Sequence, residues 1–229
     1  MKDIKLAVFD MAGTTVNEDN VVYKTVRQAL VNAGVAVDLD TVLEFGAGKE
    51  KLQAIKDVLV HVGAIERVDA LAIFENFKRM LKQAYFDLKV SPYEGVEELF
   101  GTLKANGIKV VLNTGYDQQT AQALLDKLNW KVGDKIDALI TADDVVNGRP
   151  SSEMIDKAME MFQITNSKQV LKAGDSIIDI EEGQNANCGI TVGVLTGAHT
   201  RSQLETINPT LILDSLPELE QILFGENPK

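Results

Sequence analysis

Cysteine, histidine and tryptophan are scarce in this chain of 229 residues, which contains one cysteine, two histidines and one tryptophan. A single cysteine, Cys188, cannot form an intramolecular disulfide, and its isolation also excludes a zinc site built on several cysteines. His61 and His199 belong to no recognisable motif, so neither histidine is assigned a role.

Long apolar runs and positive charge are also lacking. No apolar run approaches the roughly 20 residues that span a bilayer, and the apolar stretch near the N-terminus is too short for a secretory signal. We therefore expect a cytoplasmic protein. The net charge is −11, from 23 basic and 34 acidic residues, so neither nucleic acid nor a membrane surface is expected as a partner. A phosphorylated substrate would need local positive charge from a metal ion, a lysine or an arginine.

The composition is that of a folded globular protein, with 45% hydrophobic and 25% charged residues. Short apolar runs alternate with longer segments of helical periodicity, which predicts an α/β fold: a doubly wound parallel sheet with helices on both faces. Strands are predicted over Ile4–Phe9, Ile108–Leu112, Ala138–Thr141, Val170–Ala173, Ile190–Leu195 and Leu211–Leu213. Predicted helices include Gln118–Leu128, Ser152–Phe162 and Ile178–Ala186.

The region after the first strand breaks this alternation. Apolar residues between Val22 and Tyr85 repeat at helical spacing, without a convincing strand. We predict that residues 17–89 form a small all-helical domain over the active end of the sheet, and that residues 1–16 and 90–229 form the core. The helix faces of the smaller domain allow a homodimer as well as packing on the core.

Two acidic segments follow predicted strands. Asp10 leaves a strand and enters a turn with glycine, and a carboxylate in such a place can attack phosphorus to form an aspartyl-phosphate. Asp175 and Asp179 lie on one face of a predicted helical turn, where Mg²⁺ would hold the two carboxylates together. The alternatives are a capping role for Asp10 and a favourable interaction of Asp179 with the helix dipole.

Two further segments complete a candidate phosphate pocket. The hydroxyl of Thr114 and the neighbouring N–H groups follow the second core strand, where they can bind a phosphoryl oxygen. Arg149 places a permanent positive charge just before a helix. Each residue taken alone is more often a helix cap or a surface charge, but together, in chain order and at strand ends, they indicate a phosphate site.

The combined pattern resembles the haloacid dehalogenase (HAD) superfamily of phosphotransfer hydrolases, whose four motifs span most of the chain. The helical segment resembles the mobile cap of that superfamily, and the core would be Rossmann-like. The resemblance implies Asp10 as nucleophile, Thr114 as phosphoryl ligand and Arg149 as the neutralising charge. It implies a Mg²⁺ cofactor held by Asp10, the Ala12 carbonyl, Asp175 and Asp179. Substrate contacts are expected from Gly13, Thr14, Gly115 and Tyr116.

Ala12 departs from the pattern of most HAD phosphatases, which carry a second aspartate there as general acid. General acid catalysis contributes about 10²–10⁴-fold, so an ordinary alkoxide would leave slowly from this site. Asp-x-Ala-Gly-Thr-Thr, together with Arg149 in place of the usual lysine of the third motif, is similar to the phosphonoacetaldehyde hydrolases (phosphonatases).

Phosphonatases break a C–P bond, and a lysine in a Gly-x-x-Lys segment of their cap forms an imine that accepts the bonding electrons. Gly46-Ala47-Gly48-Lys49 matches that segment, so the resemblance assigns the imine to Lys49. A solvated lysine on the cap surface is the alternative. Leu52 and Asn20 stand where phosphonatases have a histidine and a cysteine, whereas Tyr116 matches the family.

The sequence therefore predicts a Mg²⁺-dependent phosphonatase-like hydrolase whose partner is a small phosphonate or phosphorylated substrate. A HAD phosphatase acting on a small phosphoester is the first alternative. A phospho-accepting signalling domain is the second, although such a domain needs no helical lid over its site.

Overall fold

A parallel sheet lies at the centre of the molecule. This computed structural model describes residues 3–225, apart from the side chains at positions 86 and 87. The strands are β1 (Leu6–Asp10), β2 (Val16–Asn17), β3 (Ser91–Pro92), β4 (Lys109–Asn113), β5 (Ala138–Ile140), β6 (Val170–Gly174), β7 (Ile190–Val194) and β8 (Leu211–Leu213). The helices are α1 (Val21–Asn32), α2 (Leu39–Gly46), α3 (Lys51–His61), α4 (Ala70–Asp87), α5 (Val96–Ala105), α6 (Gln118–Leu128), α7 (Glu153–Met161), α8 (Ile177–Asn185), α9 (Arg201–Glu205) and α10 (Glu218–Phe224).

The main sheet has the strand order β5-β4-β1-β6-β7-β8, and all of its pairs are parallel. β1 lies between β4 and β6, with Asp10 opposite Asn113 in the register. After β1 the chain adds β4 and β5 on one side and then β6, β7 and β8 on the other. Ligands of such sheets bind at the carboxyl ends of the strands where the order reverses. The predicted α/β fold class is confirmed.

The side chains of β1 show why this sequence forms a central strand. Alternate residues point to opposite faces of the sheet, and each face is buried under helices. Phe9 packs against Phe100 of α5, with ring centroids 5.5 Å apart, whereas Val8 lies in the apolar cluster that includes Met154 of α7. β1 is therefore apolar on both sides until Asp10, its last residue.

The helices α1 to α4 lie between β2 and β3, and these two short strands pair antiparallel where the chain enters and leaves the helical segment. Asp38 and Asp69 cap α2 and α4 with their side chains. The all-helical insertion after the first strand is confirmed, although β2 and β3 were not predicted. The division into two domains at residues 17 and 89 stays a prediction. Among the described residues, no helix has the length and apolar character needed to cross a membrane.

Several predicted boundaries are wrong by one or two residues. β1 begins at Leu6 and includes Asp10, β4 extends to Asn113, and β6 extends to Gly174, because backbone pairing continues past the last apolar side chain. β5 and β7 each end one residue earlier than predicted. The two helices predicted after Pro150 and Asp175 are α7 and α8, each displaced by one residue at its ends.

Candidate active site

Three buried carboxylates meet at the carboxyl ends of β1 and β6. Asp10 ends β1, Asp175 follows β6, and Asp179 lies in the first turn of α8, with one oxygen of each within 4.8 Å of the others. The Thr14 hydroxyl lies 3.4 Å from Asp10 Oδ2 and 3.3 Å from Asp175 Oδ1. The sequence-predicted acidic cluster is thus brought together in the fold.

Asp175 carries the least compensated charge of this cluster. Its Oδ2 accepts a hydrogen bond from the Ala198 N–H at 2.6 Å, and no ion pair reaches it from the residues that the structure describes. Burial, followed by the charges of Asp10 and Asp179, raises the pKa of Asp175 to about 8. Such a group fits a hard divalent cation, which prefers carboxylate oxygens and would relieve the repulsion. The Ala12 carbonyl stays a predicted further ligand.

The two carboxylate oxygens of Asp179 have different partners. Its Oδ2 accepts from the Ser176 hydroxyl at 2.5 Å and completes a capping box at the start of α8. Its Oδ1 contacts Arg149 and lies 3.1 Å from Lys172 Nζ. Burial alone would raise the pKa of Asp179, but these two cations outweigh it and lower the pKa to about 2. Asp179 therefore lies in the first turn of α8, as its alternative interpretation requires, and it also contacts the cations of the site.

Arg149 links two members of the cluster. Its Nη1 donates to Asp10 Oδ1 at 2.7 Å as well as to Asp179, and its side chain is buried. Burial raises the pKa of Asp10, and Asp179 adds to this rise, although Arg149 opposes it. Arg149, which was predicted to neutralise the phosphoryl group, therefore lies beside the predicted nucleophile, and its contact with substrate stays a prediction.

The glycines around the site leave space for Asp175. Gly13 adopts φ +82°, and a Cβ there would lie 2.5 Å from Asp175 Oδ2. A Cβ on Gly197 would lie 2.0 Å from the same oxygen. These two backbone segments enclose the carboxylate so closely that no larger residue fits at either position.

The segment after β4 lies at the same edge of the sheet. Thr114 is buried and its hydroxyl accepts from the Tyr116 N–H at 3.2 Å. A Cβ on Gly115 would lie 3.3 Å from Arg149 Nη2, so this glycine borders the cation. Tyr116 is buried, and its ring lies 5.9 Å from Lys51 Nζ. The contacts of these residues with substrate stay predictions.

A buried polar network behind the cluster was missed by the sequence analysis. Lys172 Nζ lies 3.0 Å from Glu182 Oε2 and donates to Asn113 Oδ1 at 2.6 Å, and all three side chains are inaccessible to solvent. The Asn113 amide donates to both oxygens of Glu182. The one signal in the sequence was a lysine inside the apolar run of β6, because a charged side chain in a central strand has no access to solvent and needs a buried partner.

Glu18, just after β2, was also missed. Its carboxyl group is buried, Oε2 accepts from the Val22 N–H at 3.3 Å, and Oε1 has no hydrogen-bond partner among the described residues. Burial raises the pKa of Glu18 to about 8, and the charge of Asp175 contributes to the rise. This carboxyl group is consequently protonated at neutral pH.

The loop between α2 and α3 lies against the start of α8. A Cβ on Gly48 would lie 2.5 Å from the hydroxyl of Ser176, and the Gly48 N–H donates to the Tyr23 hydroxyl at 3.1 Å. The two lysines of this loop differ in their surroundings. The Lys49 amine lies 2.5 Å from Asp57 Oδ2, whereas Lys51 is buried.

Comparison with known proteins places this site in a family. The family description "haloacid dehalogenase-like hydrolase" matches residues 4–187, and the chain belongs to that family. Its members generally use Mg²⁺, and the cluster of Asp10, Asp175 and Asp179 is a group that can hold such an ion.

Individual relatives carry different activities in their names. A phosphonoacetaldehyde hydrolase of Latilactobacillus sakei is 29% identical over 209 residues, which are 85% of this chain and 77% of that protein. The pyrophosphatase PpaX of Bacillus mycoides is 29% identical over 231 residues, 98% of this chain and 99% of that protein. A solved phosphonoacetaldehyde hydrolase-like protein of Oleispira antarctica has a TM-score of 0.83 at 22% identity, covering 99% of this chain and 96% of that one.

Proposed function

We propose that this chain is a Mg²⁺-dependent phosphonatase-like hydrolase that cleaves the C–P bond of a small carbonyl phosphonate of the phosphonoacetaldehyde type. The observation that carries the proposal is the meeting of Asp10 with two further carboxylates and Arg149, next to an alanine at position 12. This arrangement supports attack on phosphorus but provides no aspartate two residues on to protonate a leaving alkoxide.

The phosphoryl half of the reaction uses Asp10 as nucleophile. One carboxylate oxygen bonds to phosphorus as the C–P bond breaks, which gives an aspartyl-phosphate that water then hydrolyses to inorganic phosphate and free Asp10. A bound Mg²⁺ supplies charge neutralisation for the phosphoryl oxygens and the surrounding carboxylates. Arg149 and the Thr114 hydroxyl hold the other phosphoryl oxygens, and the developing charge is stabilised in a site that excludes water.

The carbon half of the reaction needs an acceptor for the electron pair of the C–P bond. A neutral lysine amine condenses with the substrate aldehyde, takes up a proton from solvent and loses water to form an iminium, and the iminium takes up the electron pair as an enamine. Protonation and hydrolysis of the enamine then release the aldehyde and regenerate the amine. The motif match places this step on Lys49, in the cap loop that packs on Ser176.

Turnover of phosphonoacetaldehyde, measured as phosphate and aldehyde release with and without Mg²⁺, tests this proposal against a panel of phosphoesters. We expect Mg²⁺-dependent turnover that falls at least about 10³-fold in Asp10→Asn. Asp143→Asn is the matched control, because Asp143 follows a neighbouring strand outside the carboxylate cluster and bonds the Gln118 N–H. Full activity of Asp10→Asn, or an equal loss in both variants, would contradict the proposal.

A second candidate function is hydrolysis of a small phosphoester or phosphoanhydride through the same aspartyl-phosphate. It is favoured by the pyrophosphatase relative, which matches nearly the whole chain. The substitution Ala12→Asp restores the general acid that this function lacks and should raise phosphomonoesterase activity about 10²-fold. If that variant binds Mg²⁺ but gains no activity, the absent acid does not limit the reaction.

A further inference from the structure

The segment 46–51, from the end of α2 to the start of α3, carries two lysines whose environments are opposite. The Lys49 amine forms an ion pair with Asp57 at 2.5 Å, and Asp57 is also bonded by the Gln53 amide at 2.7 Å. The side chain of Lys49 is 30% exposed. These contacts occupy the Lys49 amine with Asp57.

Lys51 is directed inward instead. The residue is 8% exposed, and its Nζ lies 5.3 Å from the Tyr23 ring and 5.9 Å from the Tyr116 ring. Its hydrogen bond goes to the backbone carbonyl of Lys49 at 2.6 Å, and it forms no ion pair with the described residues. This amine thus contacts two aromatic rings and one neutral carbonyl, while the charges of Arg149, Asp10, Glu50 and Glu18 also act on it.

The Lys51 amine also lies on the phosphoryl side of the loop. The Lys49 carbonyl to which it donates is 3.8 Å from the position that a Cβ on Gly115 would occupy, and Arg149 Nη2 is 3.3 Å from the same position. Gly115 follows the predicted phosphoryl ligand Thr114 directly. The Lys51 amine thus donates to the Lys49 carbonyl, and this carbonyl lies near Arg149, which contacts Asp10.

The electrostatic surroundings agree with this position. Burial and then the charge of Arg149 lower the pKa of Lys51 to about 8, although Asp10 and Glu18 act in the opposite direction. An ordinary lysine is about 0.1% neutral near pH 7.4, and a lowered pKa increases the share of this amine that is neutral at the same pH. Neutral amine is the form that condenses with a carbonyl.

We infer that the amine that forms the imine in this chain is that of Lys51, and that Lys49 serves as a structural ion-pair partner of Asp57. The inference rests on the proposed C–P bond cleavage and moves one of its steps to another residue. The Lys51 lone pair forms the C–N bond, and the carbonyl oxygen leaves as water with one proton from the amine and one from solvent. The resulting iminium accepts the electron pair of the C–P bond as phosphorus passes to Asp10.

The direct test is borohydride trapping of the protein incubated with phosphonoacetaldehyde or with acetaldehyde, followed by peptide mass mapping. Acetaldehyde needs no C–P cleavage, so it reports the reactive amine separately from turnover. We expect the adduct on Lys51 in the unmodified protein and in Lys49→Arg, and its loss in Lys51→Arg. Arginine keeps the positive charge and the donor to the Lys49 carbonyl but forms no imine.

Kinetics and stability separate chemistry from structure. Lys51→Arg should lower kcat for phosphonoacetaldehyde at least about 10³-fold while the thermal unfolding midpoint changes little, and Lys56→Arg on the exposed side of α3 should change neither. An adduct on Lys49 that persists in Lys51→Arg, together with retained turnover, would overturn this inference and leave the proposed function intact. Absence of turnover and of any lysine adduct in the unmodified protein would overturn both.

Discussion

Arg149 Nη1 lies 2.7 Å from Asp10 Oδ1 and reaches Asp179 with the same nitrogen, so one guanidinium holds the candidate nucleophile against its neighbour. The contact opposes the rise in the pKa of Asp10 that burial causes, because an adjacent cation favours the charged carboxylate. It also fixes the direction in which the carboxylate points. A phosphoryl group that arrives beside Asp10 meets this guanidinium at once.

We therefore expect Arg149→Lys to impair the reaction, although this substitution keeps the positive charge. Arg149 bonds Asp10 and Asp179 through Nη1 while Nη2 lies near Gly115, and a lysine, which has a single nitrogen and no planar fork, does not reproduce this two-sided geometry. We expect kcat/KM to fall about 10²–10³-fold at saturating Mg²⁺, measured by phosphate release. Arg201→Lys is the control, because Arg201 pairs with Asp214 at the surface. Equal kinetics in the two variants would mean that charge alone suffices at position 149.

The protonated state of Glu18 predicts how stability depends on pH. Its pKa rises from 4.5 to about 8 on folding, so the folded protein binds the proton more tightly than the unfolded chain. The stability linked to this proton is fully present below pH 4.5 and is lost as the pH rises through about 8. Glu18→Gln removes the titration and should be more stable than the unmodified protein at pH 9, by a few kcal/mol on the order of magnitude.

Chemical denaturation of both proteins between pH 5 and pH 9 measures this effect. The difference in unfolding free energy should be small at the acidic end and should grow toward the alkaline end in favour of the glutamine variant. Glu66→Gln, at an exposed position, serves as the control. A difference that is constant across this range would show that Glu18 is ionised in the folded protein throughout.

The parts of the site that the sequence predicted share a simple cause. Asp10, Asp175 and Thr114 each follow an apolar strand, and parallel strands deliver their carboxyl ends to one edge of the sheet. Arg149 was found by its motif. Local pattern and chain order thus suffice to assemble these groups without knowledge of any contact between them.

The parts that were missed depend on packing between segments distant in sequence. Lys172 is an ordinary strand residue until Glu182 of α8 and Asn113 of β4 are seen beside it. Likewise, Lys49 and Lys51 are close in sequence, but the amine of Lys49 pairs with Asp57 whereas the amine of Lys51 lies near the ring of Tyr116. Helical periodicity cannot predict which of these two amines is buried at the start of α3, so the motif match selected Lys49 only by its spacing from Gly46.

Gly197→Ala tests how closely the backbone encloses Asp175. A Cβ at this position would lie 2.0 Å from Asp175 Oδ2, so the carboxylate must move away from the cluster. We expect Mg²⁺ affinity to fall about 10–100-fold, as for changes in residues that orient metal ligands, measured by isothermal titration calorimetry. Gly101→Ala in α5 is the control, because nothing lies within 4 Å of the added methyl group. Unchanged affinity in Gly197→Ala would show that Asp175 is not a ligand.

The buried ion network behind the site predicts a large and non-additive stability effect. Lys172→Met leaves Glu182 buried without a cation and removes one of the two cations that hold Asp179. Breaking a buried pair by removing one partner costs about 3–5 kcal/mol of unfolding free energy. Glu182→Gln in the same chain removes the uncompensated charge, and Asn113 can still bond the amide.

The double variant should therefore be more stable than Lys172→Met alone, although it carries one more substitution. Denaturant unfolding of the two single variants and the double variant gives the coupling energy, which we expect to be about 1–3 kcal/mol. Lys131→Met, at an exposed position, is the control for removing a lysine. If the two single losses simply add, Lys172 and Glu182 do not stabilise each other.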